Sequence, residues 1–186
     1  ALIAVSPSGE NQIVVAPGAN RYLLPDQVRV PDTDAVICQL EVPVETIASV
    51  ATAYKGFFCV NLAPAMEIDV AVLQRADLVV VNETESDWYG ASLRACAGLV
   101  ATTRGAGVAS LERDGEVIAE ARPPATGAVD ATGAGDTFTA ALTVALVEGQ
   151  APEKALQFAC AAGAVAVTKM GAQPSLPMRS EVAIDG

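Results

Sequence analysis

An alternation is the feature that most restricts the fold. Short apolar runs of strand length recur between stretches with helical patterning. Ala35 to Leu40, Phe57 to Asn61, Leu78 to Asn82 and Leu99 to Thr103 each read as a buried strand. Pro43 is expected to open a helix at its first turn, with Glu45 just inside, running to about Tyr54 and stopped by Gly56. Ile68 to Gln74 reads as a short helix, and the acidic stretch Glu83 to Asp87 suits a helix N-terminus. Strands alternating with helices imply an α/β domain built on a doubly wound, mostly parallel sheet.

The ends of the chain depart from that rhythm. Leu2 to Val5 and Ile13 to Ala16 read as strands around a turn at Ser8-Gly9-Glu10-Asn11, forming a separate small sheet. Residues 1–30 are therefore expected to be a partial β segment that returns into the core, and residues 31–186 the α/β domain. Val108 to Leu111 and Glu116 to Ala119 flank Arg113-Asp114-Gly115, a hairpin signal. Two helices rich in small residues follow, Gly133 to about Glu148 and Pro152 to about Lys169.

Composition removes several functions. The net charge is −11, and the 11 Lys and Arg residues are scattered, so no basic patch suits a nucleic acid. A phosphate ligand in so acidic a chain needs local main-chain N–H groups, a metal, or both. With no histidine, Ser–His–Asp and Cys–His catalysis and His-ligated metals are excluded. Cys38, Cys59, Cys96 and Cys160 are far apart, with no C-x-x-C pair, and read as buried free thiols in a reducing cytoplasm. No apolar stretch reaches the roughly 20 residues of a membrane span, and Ala1 does not open a signal peptide.

The strongest chemical signal is Val129-Asp130-Ala131-Thr132-Gly133-Ala134-Gly135-Asp136-Thr137-Phe138. Small residues ahead of a long helix let the backbone approach an anion, and the unpaired N–H groups of the first turn point at it. Asp136 falls in that turn, where the helix dipole favours a carboxylate that can accept a proton from a hydroxyl beside the phosphate. Asp130 and Thr132 converge on the same turn; the alternative is an Asp that merely caps a Gly-rich helix start. G-x-x-x-x-G-K-[ST] is absent, and Gly105-Ala106-Gly107 runs on to Ser110, which breaks the dinucleotide fingerprint.

Weaker signals lie at strand ends, which line the ligand crevice of a parallel sheet. Asn82 and Glu85 can orient water or magnesium near phosphates, or belong to a solvated helix start. Thr103-Arg104-Gly105-Ala106-Gly107 can support a nucleotide, or be an ordinary turn. Glu41 can bind sugar hydroxyls, or face solvent. Gly171-Ala172-Gln173-Pro174-Ser175 reads as a helix stop followed by an extended loop whose oxygens can hold a monovalent cation.

Together these residues resemble the ribokinase-like (PfkB) carbohydrate kinase family. Asp-x-Thr-Gly-Ala-Gly-Asp-Thr-Phe, residues 130–138, is its specific C-terminal signature; Asn82-x-x-Glu85 is similar to its magnesium and phosphate motif, and Thr103 to Val108 to its nucleotide loop. Gly9-Glu10-Asn11-Gln12, Pro17-Gly18-Ala19-Asn20, Gln39-Leu40-Glu41 and Gly171 to Ser175 resemble the ribokinase branch. The resemblance implies ATP-dependent phosphorylation of the 5-hydroxyl of ribose, with fructose, deoxyribose, adenosine or a truncated non-catalytic nucleotide module as alternatives. It implies Asp136 as general base and sugar ligand, Gly133, Ala134 and Gly135 as an anion hole, and Glu41 as a ribose ligand. ATP would be bound by Asn82, Thr103, Arg104, Gly105, Ala106, Gly107, Val108, Gly135 and Cys160. Mg²⁺ would be held by Glu85 through water, and K⁺ by Asp130, Thr132, Ala166, Lys169, Gly171 and Ser175. A homodimer paired through lid strands is also implied. The chain departs from the family in Val108, where Gly is usual, and in Cys160, where Asn is usual. It is also expected to be short between Glu85 and Thr103, and to lack the N-terminal Gly-Gly-Lys-Gly-Ala-Asn sugar motif and most of the lid.

Overall fold

Runs of Val, Leu and Phe with no polar interruption can form strands only where both rows of side chains are buried. The computed structural model describes residues 2–5 and 11–183 and contains such strands. Two antiparallel strands come first, β1 (Leu2–Val5) and β2 (Asn11–Val14), as a sheet of their own. The second begins two residues earlier than expected, because Asn11 and Gln12 pair with Val5 and Ala4. Of the expected turn and the Gly9 to Gln12 motif, residues 6–10 lie outside the described residues.

A six-stranded sheet follows, ordered as the chain runs. It comprises β3 (Ala35–Gln39), β4 (Phe57–Asn61), β5 (Leu78–Asn82), β6 (Leu99–Thr103), β7 (Ala109–Arg113) and β8 (Glu116–Ala121). The first four are parallel, and β7 runs antiparallel to β6. Asp114 and Gly115, at φ +55° and +79°, make the two-residue turn that Asp-Gly announces. The helices are α1 (Val44–Ala53), α2 (Val70–Arg75), α3 (Glu83–Tyr89), α4 (Ala134–Val147), α5 (Pro152–Ala166) and the single turn α6 (Ala172–Ser175). The expected mostly parallel α/β sheet is therefore present.

Further boundaries differ from expectation. Pro43 caps α1 rather than lying in its first turn. The Asp69 side chain accepts the Ala71 N–H at 2.9 Å and starts α2 at Val70 rather than Ile68. Gly171 to Ser175 is not extended: Ala172–Ser175 closes one helical turn, with the Ser175 hydroxyl donating to the Ala172 carbonyl at 2.6 Å.

The chain divides into two compact units. In the unit made of residues 17–105 and 110–119, Phe58, Val60, Leu62, Ile47, Val72 and Val79 form a core with almost no exposure. Asp77 locks its sheet: one carboxylate oxygen accepts the Phe58 N–H at 2.8 Å and the Arg75 guanidinium at 2.9 Å. Arg75 donates onward to the carbonyls of Tyr54 and Gly56. The unit made of residues 1–16, 106–109 and 120–186 is built on α4 against α5. Phe138, Leu142, Leu156 and the Ala-rich face of α5 are buried there. The helices run close at Gly163, where a β-carbon would make ordinary contact with the Ala134 carbonyl at 3.5 Å.

Candidate anion-binding site

The turn before α4 is shaped by one glycine and one carboxylate. Gly133 is the N-cap of α4 at φ +79°, a left-handed conformation that costs other residues about 1–2 kcal/mol. A β-carbon there would also lie 3.3 Å from both the Cα and Cβ of Ala172. Asp130, which is buried, accepts the Thr132 N–H at 2.9 Å and the Thr132 hydroxyl at 2.6 Å on one oxygen. Its other oxygen accepts the Gly171 N–H at 2.8 Å. These hydrogen bonds, the Thr132 hydroxyl's foremost, hold the carboxyl below the usual carboxylate range. The N–H groups of Val129 and Asp130 both donate to the Val167 carbonyl just past α5.

The result is an open helix start. The Ala134 N–H donates to the Ala131 carbonyl and the Thr137 N–H to the Gly133 carbonyl. The N–H groups of Gly133, Gly135 and Asp136 have no acceptor among the described residues. Nothing lies within 4 Å of where a Gly135 β-carbon would be, so an anion has room to approach. Asp136 is exposed in the first turn, and its carboxylate has no partner among the described residues. The hydroxyls of Thr137, Thr139 and Thr143 donate back to the carbonyls four residues before them and leave no polar atom unpaired in the buried face of α4. This geometry can hold an anion and offer it a neighbouring base.

The remaining residues of the same unit are placed as follows. The main-chain oxygens of Thr132, Ala166 and Lys169 accept no hydrogen bond among the described residues, a donor set that fits a cation. The Lys169 ammonium pairs instead with Glu181 at 3.2 Å. Ser175 is fully buried. Cys160 is only 2% exposed, its thiol aimed at the Ala121 carbonyl, and burial pushes its pKa up to about 11. Of the 103–108 loop, Ala106, Gly107 and Val108 belong here, and the Ala106 carbonyl accepts from Arg122.

The other unit carries Glu41, Asn82, Glu85, Thr103, Arg104 and Gly105. Glu41 is exposed in the turn after β3, its N–H donating to the Gln39 side chain. Asn82 ends β5 and caps α3: its side-chain oxygen accepts the Glu85 N–H at 2.9 Å, while the Glu85 carboxylate accepts the Asn82 N–H at 2.8 Å. Glu85 is 8% exposed, and burial raises its pKa. Thr103 ends β6, Arg104 reaches the Ser110 hydroxyl, and Gly105 turns the chain at φ +54°. Among the described residues, no three His, Cys, Asp or Glu side chains cluster to cage a metal, and no helix is long and apolar enough to cross a membrane.

Sequence reasoning did not reach two contributors. The Asp130–Gly171 bond spans 41 residues, and the approach of Ala172 to Gly133 involves a residue type that carries no chemical signal.

Comparison with known proteins identifies the family. Residues 1–179 match the pfkB family carbohydrate kinase. The chain is 34% identical to the ribokinase of Haemophilus influenzae over 206 residues, covering 97% of this chain and 66% of that protein. Since the chain has 186 residues, the relative carries residues inside the matched region that this chain lacks. The ribokinase of Thermotoga maritima superposes with a TM-score of 0.86 at 33% identity, covering 97% of this chain and 66% of its own. The Arabidopsis thaliana ribokinase complexed with ribose and ATP does so with a TM-score of 0.79 at 29% identity, with the same shares covered. The chain thus spans just under two thirds of the length of such relatives, in the ribokinase-like fold. It belongs to the pfkB family of carbohydrate kinases.

Proposed function

We propose that the protein transfers the γ-phosphoryl group of ATP to the 5-hydroxyl of D-ribose, giving ribose 5-phosphate and ADP. The observation that carries this reading is the start of α4, where N–H groups of Gly133, Gly135 and Asp136 without an acceptor among the described residues share a turn with an exposed, unpartnered carboxylate. The hydroxyl proton passes to Asp136 as the hydroxyl oxygen bonds to phosphorus and the bond to the ADP oxygen breaks. Charge developing on the phosphoryl oxygens is met by the N–H groups of the turn, so catalysis consists mainly of positioning and charge neutralisation. The alternative of a mere capping Asp is disfavoured, because Asp136 caps nothing.

In this reading Glu41 binds the sugar, while Asn82 and the 103–108 loop bind the nucleotide. Cys160 is buried against Ala121, so nucleotide contact there would run through the surface of α5 rather than the thiol. Magnesium would be held through phosphate oxygens and water near Glu85, which suits a chain without a carboxylate cage among its described residues. Its chemistry would be to neutralise phosphate charge. Potassium would use the open carbonyls of Thr132, Ala166 and Lys169 together with Asp130, Gly171 and Ser175. The paired residues Leu2 and Val14, 72% and 69% exposed on the small sheet, are the surface through which two copies would join.

A second acceptor is favoured by one relative, the deoxyribokinase of Salmonella typhi, 30% identical over 201 residues. A coupled assay of ADP release with ribose, deoxyribose, fructose and adenosine decides between them. Ribose should give the highest kcat/KM. A higher value for deoxyribose shifts the acceptor, and nucleotide binding without turnover on any of the four supports a non-catalytic module instead.

A further inference from the structure

We propose that Ala172 is a positioning residue for the anion-binding turn, acting through Gly133; the inference rests on the kinase reading above. Three observations carry it, all within one compact unit. First, Ala172 stands beside Gly133, close enough that a β-carbon built on the glycine would be 3.3 Å from both its Cα and its methyl carbon. That spacing is tighter than most real carbon contacts, so no side chain fits on Gly133 while Ala172 stands where it does. Second, the residue before Ala172 is tied to the same turn by a different bond, since Asp130 accepts the Gly171 N–H on one oxygen and Thr132 on the other. Third, the segment is stiff. The Ser175 hydroxyl, fully buried, closes the Ala172 carbonyl at 2.6 Å, and the Leu176 N–H donates to the Gln173 carbonyl.

The one-turn helix Ala172–Ser175 is therefore a brace under the turn whose N–H groups meet the phosphoryl oxygens. The gap between the two residues is no wider than one missing β-carbon, so a side chain at position 172 that grows into it pushes on the turn, and the directions of the Gly133 and Gly135 N–H groups change with it. Such donors contribute through direction as much as presence, and loss of one typically costs about 10²–10³ in rate.

Because Ala172 is exposed apart from this contact, a larger side chain there need not disturb the core. That separates positioning from folding. In Ala172→Val, kcat should fall about tenfold or more, with KM for ATP within about threefold and the melting temperature within about 2 °C of the parent. Ala172→Ser, which adds a single oxygen, should restore kcat to within about threefold. The readout independent of turnover is the pair of backbone amide resonances of Gly133 and Gly135, which should shift in Ala172→Val and stay near their parent positions in Ala172→Ser. Unshifted amides overturn the inference whatever the activity, and so does full activity in Ala172→Val. If the parent protein phosphorylates none of the sugars tested, the kinase reading fails and the amide resonances alone decide whether Ala172 sets the turn.

Discussion

Replacing Asp136 by Asn isolates the base, because the structure predicts very different losses in stability and in rate. The carboxylate is exposed in the first turn of α4 and bonds to nothing among the described residues, so folding loses only its interaction with the helix dipole. That interaction is worth about 0.3–1 kcal/mol near a helix N-terminus. For a chain of this length, where 1 kcal/mol shifts melting by about 2–4 °C, the melting temperature should drop by about 1–4 °C. The rate should suffer far more. Removing a positioned general base costs about 10²–10⁴, equivalent to about 3–5 kcal/mol of barrier. ATP should bind at least as tightly, since the N–H groups of Gly133 and Gly135 survive and a negative charge beside the phosphate is gone. Coupled ADP release, calorimetric titration with ATP and a thermal melt give the three numbers on one preparation. A kcat within about threefold of the parent would refute the proton-acceptor role and leave Asp136 a helix-start residue. A melting temperature lowered by more than about 8 °C would refute the reasoning from its lack of partners.

Two further outcomes test other parts of the fold. Glu85→Ala removes the acceptor of the Asn82 N–H and should cost about 1 kcal/mol of stability, whereas Glu85→Gln keeps an acceptor and should stay within about 0.5 kcal/mol by urea midpoint. A raised magnesium requirement in the stable Gln variant would assign the charge of Glu85 to the metal. Arg179, through its hydrogen bond and its charge, holds Glu148 below the usual range, so this pair stabilises the fold above the unfolded glutamate pKa of about 4.3 and loses its effect as pH falls through the lowered value. Glu148→Gln should therefore melt below the parent at pH 7 and converge with it near pH 3; a gap that persists in acid would rule out this linkage.

How far the sequence could be read depended on where each residue's constraint originates. Phe57–Asn61, Leu78–Asn82 and Leu99–Thr103 are legible to the residue, because strands buried on both faces tolerate no polar interruption until they reach the crevice. The second strand of the small sheet is not. Asn11 reads as the end of the turn and Gln12 falls short of the expected strand, and only their pairing with Val5 and Ala4 makes them strand. Pro174 misleads in the same way. It lies in the stretch read as a helix stop and extended loop, yet as the third residue of a single turn it needs no N–H partner and is compatible with helix. Gly133 reads as the first helical residue, but its left-handed conformation makes it the cap and lets the N–H groups behind it point outward.

The site divides along the same line. Gly133, Gly135 and Asp136 are adjacent in sequence, and their spacing at a helix start contains most of their chemistry. What holds them in place is not adjacent. Asp130 binds Gly171 across 41 residues, and Ala172 stands beside Gly133 with nothing but a backbone and a methyl group. A motif of small residues can announce that a backbone comes close to something, but it cannot name the neighbour, because a neighbour chosen for its lack of bulk has no distinguishing chemistry. Here that neighbour lies one residue beyond the glycine whose N–H Asp130 accepts, so carboxylate and methyl group bear on the same turn. Ser175 shows the same logic from the other side: read as part of a cation site, it donates its hydroxyl to the carbonyl of Ala172 and so closes the turn beside Gly133. The chemistry of this turn is local in sequence, whereas its geometry belongs to the packing of α4 against α5 and the segment that follows.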